Sequence, residues 1–187
     1  MKTSPPDEST MTAPDSSDLR SRIRAAFKGV TLGGGVGLYE AQGIDDHDSA
    51  EVCQRYREND EKDSWERITS DDLNHCYSSL SFFDAEGMRF HIPAYLLADL
   101  NGEYKFDMLF EFTNWCDLKR EQYSLLSTAQ RSVVMDYLRF MQDRPGNWLD
   151  VHKIDFTLDT FCEVDPDSTE TKKHNKSEMA TPRKPSD

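Results

Sequence analysis

The chain has 187 residues, 36 % of them hydrophobic, and a formal net charge of −13 at pH 7. That length suits one domain, and that charge opposes a nucleic-acid role, since a phosphate-binding face needs clustered Lys and Arg. No run approaches the ~20 apolar residues of a membrane span, and no apolar secretory signal opens the chain, so the expected location is cytoplasmic.

The apolar content is unevenly spread. Residues 1–17 and 163–187 are rich in Pro, Ser, Thr and charge, and apart from Met11 and Met179 hold almost no large apolar side chain. They cannot bury enough surface to offset their ordering entropy and read as disordered tails, the second one charged. Residues 18–162 read as a single globular domain, long enough for one core.

In chain order, a first helix is predicted from Ser17 to about Lys28. Leu19, Ile23, Ala26 and Phe27 share its inner face, Arg20, Arg24 and Lys28 its outer face, and Gly29 sits at its C-terminal cap. Residues 29–37, GVTLGGGVG, read as a loop. A short helix from Leu38 to Asp45 and a longer one from Ser49 to Asn59 follow, the latter with Asp48 and Glu51 at capping-box spacing. Trp65 and Ile68 are expected in the core. Thr69 caps a helix through about Ser79, with Asp71 and Asp72 in its first turn and Leu73 and Tyr77 turned inward.

Residues 80–100, LSFFDAEGMRFHIPAYLLADL, admit two readings at their start. Leu80–Phe83 and Met88–Ile92 form two short strands, the second alternating Met88, Phe90 and Ile92 with Arg89 and His91, or a helical turn runs through Leu80–Glu86. Phe90 is expected to be buried. Pro93 then opens a helix to Asp99 or Leu100, ended by Asn101-Gly102. Residues 104–112, YKFDMLFEF, read as a strand. Thr128–Asp143 carries the strongest helical signal: Ser127 and Gln130 form a capping box, and Val133, Val134, Tyr137, Leu138 and Met141 make an apolar stripe. Arg131, Asp136, Arg139 and Gln142 are expected to face water, and Pro145-Gly146 to stop the helix. Residues 148–162 add a helix or pack Trp148, Ile154, Phe156 and Phe161. The predicted fold is mainly α (α+β with at most a small β-hairpin or short strands), a compact single-domain helical fold.

Phe83, Gly87, Arg89, Phe90, Ile92, Pro93, Ala94, Tyr95 and Leu96 spell F-x-x-x-G-x-R-F-x-I-P-A-Y-L. With Ala26-Phe27 and Trp65 upstream and Gln130 ahead of the Val133–Met141 stripe, this order resembles a family of bacterial domains of unknown function. The resemblance spans Leu19 to Met141 and implies a small, mainly helical, cytoplasmic protein. It implies no activity.

Candidate chemistry is sparse. Gly33-Gly34-Gly35-Val36-Gly37 invites a phosphate-loop reading, but the third glycine of G-x-G-x-x-G and the Lys of a Walker motif are missing, which favours a plain linker. Asp45, Asp46, His47, Asp48 and Glu51 are the best metal candidates, because hard cations take carboxylate oxygens and a His assists a transition metal. Neither an EF-hand nor H-E-x-x-H spacing is present. His75 and Cys76 are adjacent, and helical neighbours point about 100° apart, so they do not form a catalytic pair. The four cysteines, Cys53, Cys76, Cys116 and Cys162, read as free, inert thiols. Arg89 and His91, on the polar side of the predicted strand, either meet a partner or, for Arg89, pair internally with a carboxylate such as Asp99.

Two functions from different classes remain. One is a non-enzymatic protein-binding module (regulatory, adaptor or immunity-type) with no cofactor. Its basic partner would be drawn by the stretch Ile44–Asp63, where eight carboxylates face three basic residues. The other is a small metal-dependent hydrolase built on Asp45–Glu51.

Overall fold

The computed structural model describes residues 16–113, 116–142 and 151–163, and every regular element among them is helical. In chain order these are α1 (Ser16–Ala26), α2 (Leu38–Asp45), α3 (Ala50–Asn59), α4 (Ser70–His75), α5 (Ala85–Leu100), α6 (Met108–Thr113), α7 (Asp117–Gln122), α8 (Thr128–Gln142) and α9 (Val151–Glu163). Short 3₁₀ turns lie at Trp65–Arg67 and Ser79–Ser81. The readings of residues 1–15 and 164–187 as tails, of Pro145-Gly146 as a stop and of Trp148 as a core residue fall outside the described residues.

A helix that is apolar on every side must be covered on every side. Helix α5 meets that condition: from Gly87 to Leu100 only Arg89 and Asp99 are not buried. It packs against α1, α4, α6, α7 and the Trp65–Arg67 turn. Its coverage also explains why the predicted strands fail. Met88, Phe90 and Ile92 do alternate with Arg89 and His91, but His91 is as buried as Phe90, so the alternation reports no exposed face. Leu80–Phe83 is a 3₁₀ turn and its continuation, not a strand. Pro93 does not open the helix. It lies inside it, where its missing N–H leaves the Arg89 carbonyl without its usual donor. The true N-cap is Asp84, whose side chain accepts from Gly87 N at 2.8 Å.

Helix α8 closes the other side of α1. The Ser127–Gln130 capping box forms, with Ser127 N donating to Gln130 Oε1 at 3.0 Å and Gln130 N to Ser127 Oγ at 3.3 Å. Gln130 also donates to Ala26 O at 3.2 Å, and Arg22 of α1 pairs with Asp136 of α8. Helix α1 ends as expected, with Gly29 at φ +74. Arg20 is not on an outer face. It turns to Leu100 O at 2.7 Å, meeting one of the carbonyls that the end of α5 leaves without a helical donor.

Several expectations are corrected. Helix α4 stops at His75, so Tyr77 lies beyond it, 52 % exposed and stacked on Phe106 with ring centroids 4.7 Å apart. The aromatic run 104–112 is a loop leading into α6, because the Asp107 carboxylate accepts from Leu109 N at 2.9 Å and starts a helix. Phe156 is exposed on α9, while Ile154 and Phe161 are buried. Arg131 does not face water. It is buried, and its guanidinium donates to the carbonyls of Leu126 (3.0 Å), Tyr123 (3.1 Å) and Ser124 (3.2 Å), closing the loop between α7 and α8.

Arg131→Ala strips those carbonyls of their donors inside the fold. It is expected to lower the unfolding free energy by about 3 kcal/mol in urea denaturation, and Arg131→Lys to recover less than half, because an ammonium cannot span three acceptors as the guanidinium fork does.

Candidate functional site

The glycine loop is neither a spacer nor an open anion cradle. Gly35 lies so close to the start of α5 that an added Cβ would sit 2.5 Å from Gly87 N, and a Cβ on Gly87 would sit 2.5 Å from Val36 O. Val36 N donates to Asp84 Oδ1 at 3.0 Å. Arg57, reaching across from α3, donates to Gly35 O, to Gly33 O at 3.3 Å and to the Glu40 carboxylate at 3.0 Å. The helix that follows the loop, α2, has its N-terminal amides already met by a carboxylate of this chain. Asp60 accepts from Tyr39 N at 2.9 Å and from Glu40 N at 3.1 Å. An internal carboxylate thus fills the place a phosphate would take at that helix dipole.

Beside Asp60 opens a cleft of about 200 Å³. Its polar walls are Tyr39, Asn59, Asp60, Glu61, Arg67 and Asp72, its apolar walls Leu38 and Ile68, and its most deeply buried wall residue is His91. Each polar group is held in place. The Tyr39 hydroxyl donates to Asp72 Oδ1 at 2.8 Å. Asp72 Oδ2 closes a capping box with Thr69, accepting from its hydroxyl at 2.6 Å and its N–H at 3.1 Å. Glu61 accepts from Asp63 N at 2.8 Å, Ser64 N at 3.0 Å and Arg67 at 3.2 Å. Burial pushes the Asp60 carboxyl above its ordinary pKa, opposed by the two α2 amides. For Asp72 and Glu61, burial also works upward, but it is outweighed by the Thr69 and Tyr39 hydrogen bonds at Asp72 and by the Ser64 and Asp63 amides with Arg67 at Glu61, and both carboxyls sit below the ordinary range.

His91 is 0 % exposed, its ring stacked on Phe83 at 4.3 Å. Its Nδ1 lies 2.7 Å from Gly87 O. A carbonyl only accepts, so Nδ1 carries the proton and, in the neutral ring, Nε2 offers a lone pair. No group among the described residues meets that lone pair. Burial lowers the imidazole pKa to about 4, against the Gly87 hydrogen bond and the Asp84 charge, so the ring is neutral near pH 7.

The residues singled out from sequence are placed differently. Asp45 ends α2, Asp46, His47 and Asp48 lie in the turn between α2 and α3, and Glu51 is in the first turn of α3. His47 sits at φ 60 with Nδ1 on its own neighbour, Asp45 O, at 2.6 Å. The cap of α3 is Ser49, accepting from Val52 N at 3.4 Å, not Asp48. Among the described residues no three His, Cys, Asp or Glu side chains come together as a metal site. The predicted strand face of Arg89 and His91 does not exist: His91 is interior and Arg89 half-buried. Arg89 does not pair with Asp99, which stands ten residues, about 15 Å, along the same helix and takes the Tyr137 hydroxyl at 2.6 Å. Cys53 and Cys76 are buried free thiols and Cys116 an exposed one. Burial first, then Asp60 and Asp72, push the Cys76 thiol up to about 12, away from thiolate chemistry. The Cys162 side chain lies outside the description. Asp60 and Tyr39 went unnoticed in sequence because their partners lie 20 to 33 residues away.

These features define an all-helical domain with a carboxyl-lined cleft ending on a neutral histidine. The chain belongs to the family of unknown function DUF6714, whose model matches residues 15–161. No curated protein and no solved structure matches it. Among the described residues no helix is long and apolar enough to cross a membrane.

Gly35→Ala is expected to destabilise by about 3 kcal/mol, since backbone rather than a flexible side chain stands in the way. Gly29→Ala meets no atom within 4 Å and is expected to lose only about 1 kcal/mol, from its left-handed φ. Thermal melts of the two variants check the order. The depressed His91 pKa contributes stability that is complete above the unfolded value of 6.5 and is lost as pH falls toward about 4. That loss is on the order of 3 kcal/mol, and it precedes the loss from Asp72 and Glu61, which falls below the ordinary carboxyl range. His91→Phe, a flat ring that takes no proton, is expected to flatten the unfolding free energy between those two pH values in denaturant titrations.

Proposed function

We propose that this protein is a non-enzymatic binding module whose α2–α3 face docks a basic protein. One observation carries the reading: the fold engages two of the three basic residues of this segment internally and leaves five of its eight acids exposed. Arg57 is spent on the glycine loop and Glu40. Lys62 Nζ is spent on the carbonyls of Glu58 (3.0 Å) and Asp60 (3.3 Å). Arg55 is the basic residue of this segment left exposed and unpaired, while Asp46, Asp48, Glu51, Glu58 and Asp63 are exposed with no ion-pair partner. The surface is therefore more acidic than eight carboxylates against three basic residues suggests.

Two apolar groups sit within this charge. Tyr56 is 37 % exposed beside Asp48, and Ile44 is 40 % exposed at the end of α2. An aromatic anchor ringed by charge suits a protein partner, with the ring supplying affinity and the carboxylates steering encounter. Helix α3 buries only Cys53 and packs chiefly on α2, so its outer surface is available.

The test is capture of partners from native lysate at low and moderate salt, by the wild type, by Tyr56→Ala and by the triple variant Asp46→Asn, Asp48→Asn, Glu51→Gln. One dominant basic protein is expected on the wild type. It should be lost as salt rises, lost to the triple variant, and weakened about 30-fold, roughly 2 kcal/mol, by Tyr56→Ala. An empty wild-type capture, or one that neither salt nor the variants change, overturns the reading.

A further inference from the structure

A buried polar atom without a partner is costly, and in a native fold it points to whatever supplies that partner. His91 Nε2 is such an atom, in a residue that walls the cleft beside α2. The chemistry of the other walls narrows what can enter. Asp60 uses its two oxygens for two amides, and Asp72 Oδ1 takes one hydroxyl. An ionised carboxylate has about four acceptor positions, so both keep lone pairs free. The Tyr39 hydrogen is spent on Asp72, which leaves its oxygen as an acceptor. The one donor side chain of charge, Arg67, is engaged by Glu61. The amide nitrogen of Asn59, a further wall residue, is spent on Arg55 O at 2.7 Å. The charged walls of the cleft are therefore mostly acceptors, with three carboxyl groups against one guanidinium. These side chains do not converge as metal ligands do. The complementary ligand is a cation rich in N–H donors, with an apolar stem to lie on Leu38 and Ile68.

We propose that this cleft binds the ammonium or guanidinium head of a short alkyl chain, which donates to His91 Nε2 and to the Asp60 and Asp72 carboxylates. The head belongs either to a free small amine or to a Lys or Arg side chain of another protein. The proposal stands on the cleft alone and holds whether or not the α2–α3 face docks a partner.

The test follows the Nε2 nitrogen of His91 by NMR in the full chain carrying ¹⁵N-histidine, near pH 7. An unprotonated imidazole nitrogen moves upfield when it accepts a hydrogen bond. Titration with n-butylammonium is expected to give a saturable upfield shift at millimolar concentration. Tetramethylammonium, with the same charge and no N–H, should leave the resonance in place. His91→Phe and Glu61→Gln, each checked for unchanged helical circular dichroism, should weaken n-butylammonium binding by about tenfold or more in calorimetry. Should either variant fail to fold, the wild-type comparison of the two cations decides alone. Nα-acetyl-lysine N-methylamide separates the sources: binding as tight as n-butylammonium assigns the head to a protein side chain, and exclusion of the blocked lysine while n-butylammonium binds assigns it to a free amine. No shift up to tens of millimolar n-butylammonium, or an equal shift with tetramethylammonium, overturns the proposal.

Discussion

One carboxylate oxygen holds the architecture at its narrowest point. Asp84 Oδ1 accepts from Gly87 N, which starts α5, and from Val36 N, which fixes the glycine loop. Because the two backbones meet there without side chains between them, the loop becomes part of the wall around α5. Helices α1, α4, α6 and α7 and the Trp65–Arg67 turn pack on that helix, and the Trp65 indole donates to Phe27 O at 2.9 Å. An apolar helix of this kind has no preferred face of its own. Its orientation comes from these few directed bonds.

The second organising feature is how charge is distributed between interior and surface. Asp60 is spent as the cap of α2, Arg57 as the clamp of the glycine loop, and Arg131 as the clasp between α7 and α8. In each case the charged group meets backbone amides or carbonyls that would otherwise lack partners, so its burial offsets a cost rather than adding one. The by-product is a surface from which much of the balancing charge has been withdrawn.

Signals in the sequence are legible where the interaction itself is local. The Ser127–Gln130 box, the Gly29 stop, the Thr69 cap and the stripe of α8 lie within a turn or two of their partners and came out as expected. The errors share a different cause. The strand pattern in 88–92 assumed one face in water, but tertiary packing covers both. The Asp48 cap lost to Ser49 by one residue. The candidate cleft is illegible in the sequence because the 88–92 alternation puts His91 on a polar face and because Asp60 finds Tyr39 only through the fold. Composition foresaw an acidic surface, but not that it would be sharpened by the inward turn of Arg57 and Lys62.

The seam between α1 and α8 has a consequence for how the chain comes into being. Arg22 meets Asp136 across 114 positions, and Ala26 O meets Gln130 across 104. Synthesis runs from the N-terminus at ~5–20 residues per second, so α1 waits on the order of ten seconds for the helix that covers it. Through that interval Leu19, Ile23 and Phe27, each fully enclosed in the finished fold, have no α8 to lie against. The nascent chain therefore offers a sticky amphipathic helix to its surroundings until its own last third arrives, and this is the stage at which a chaperone has most to shield.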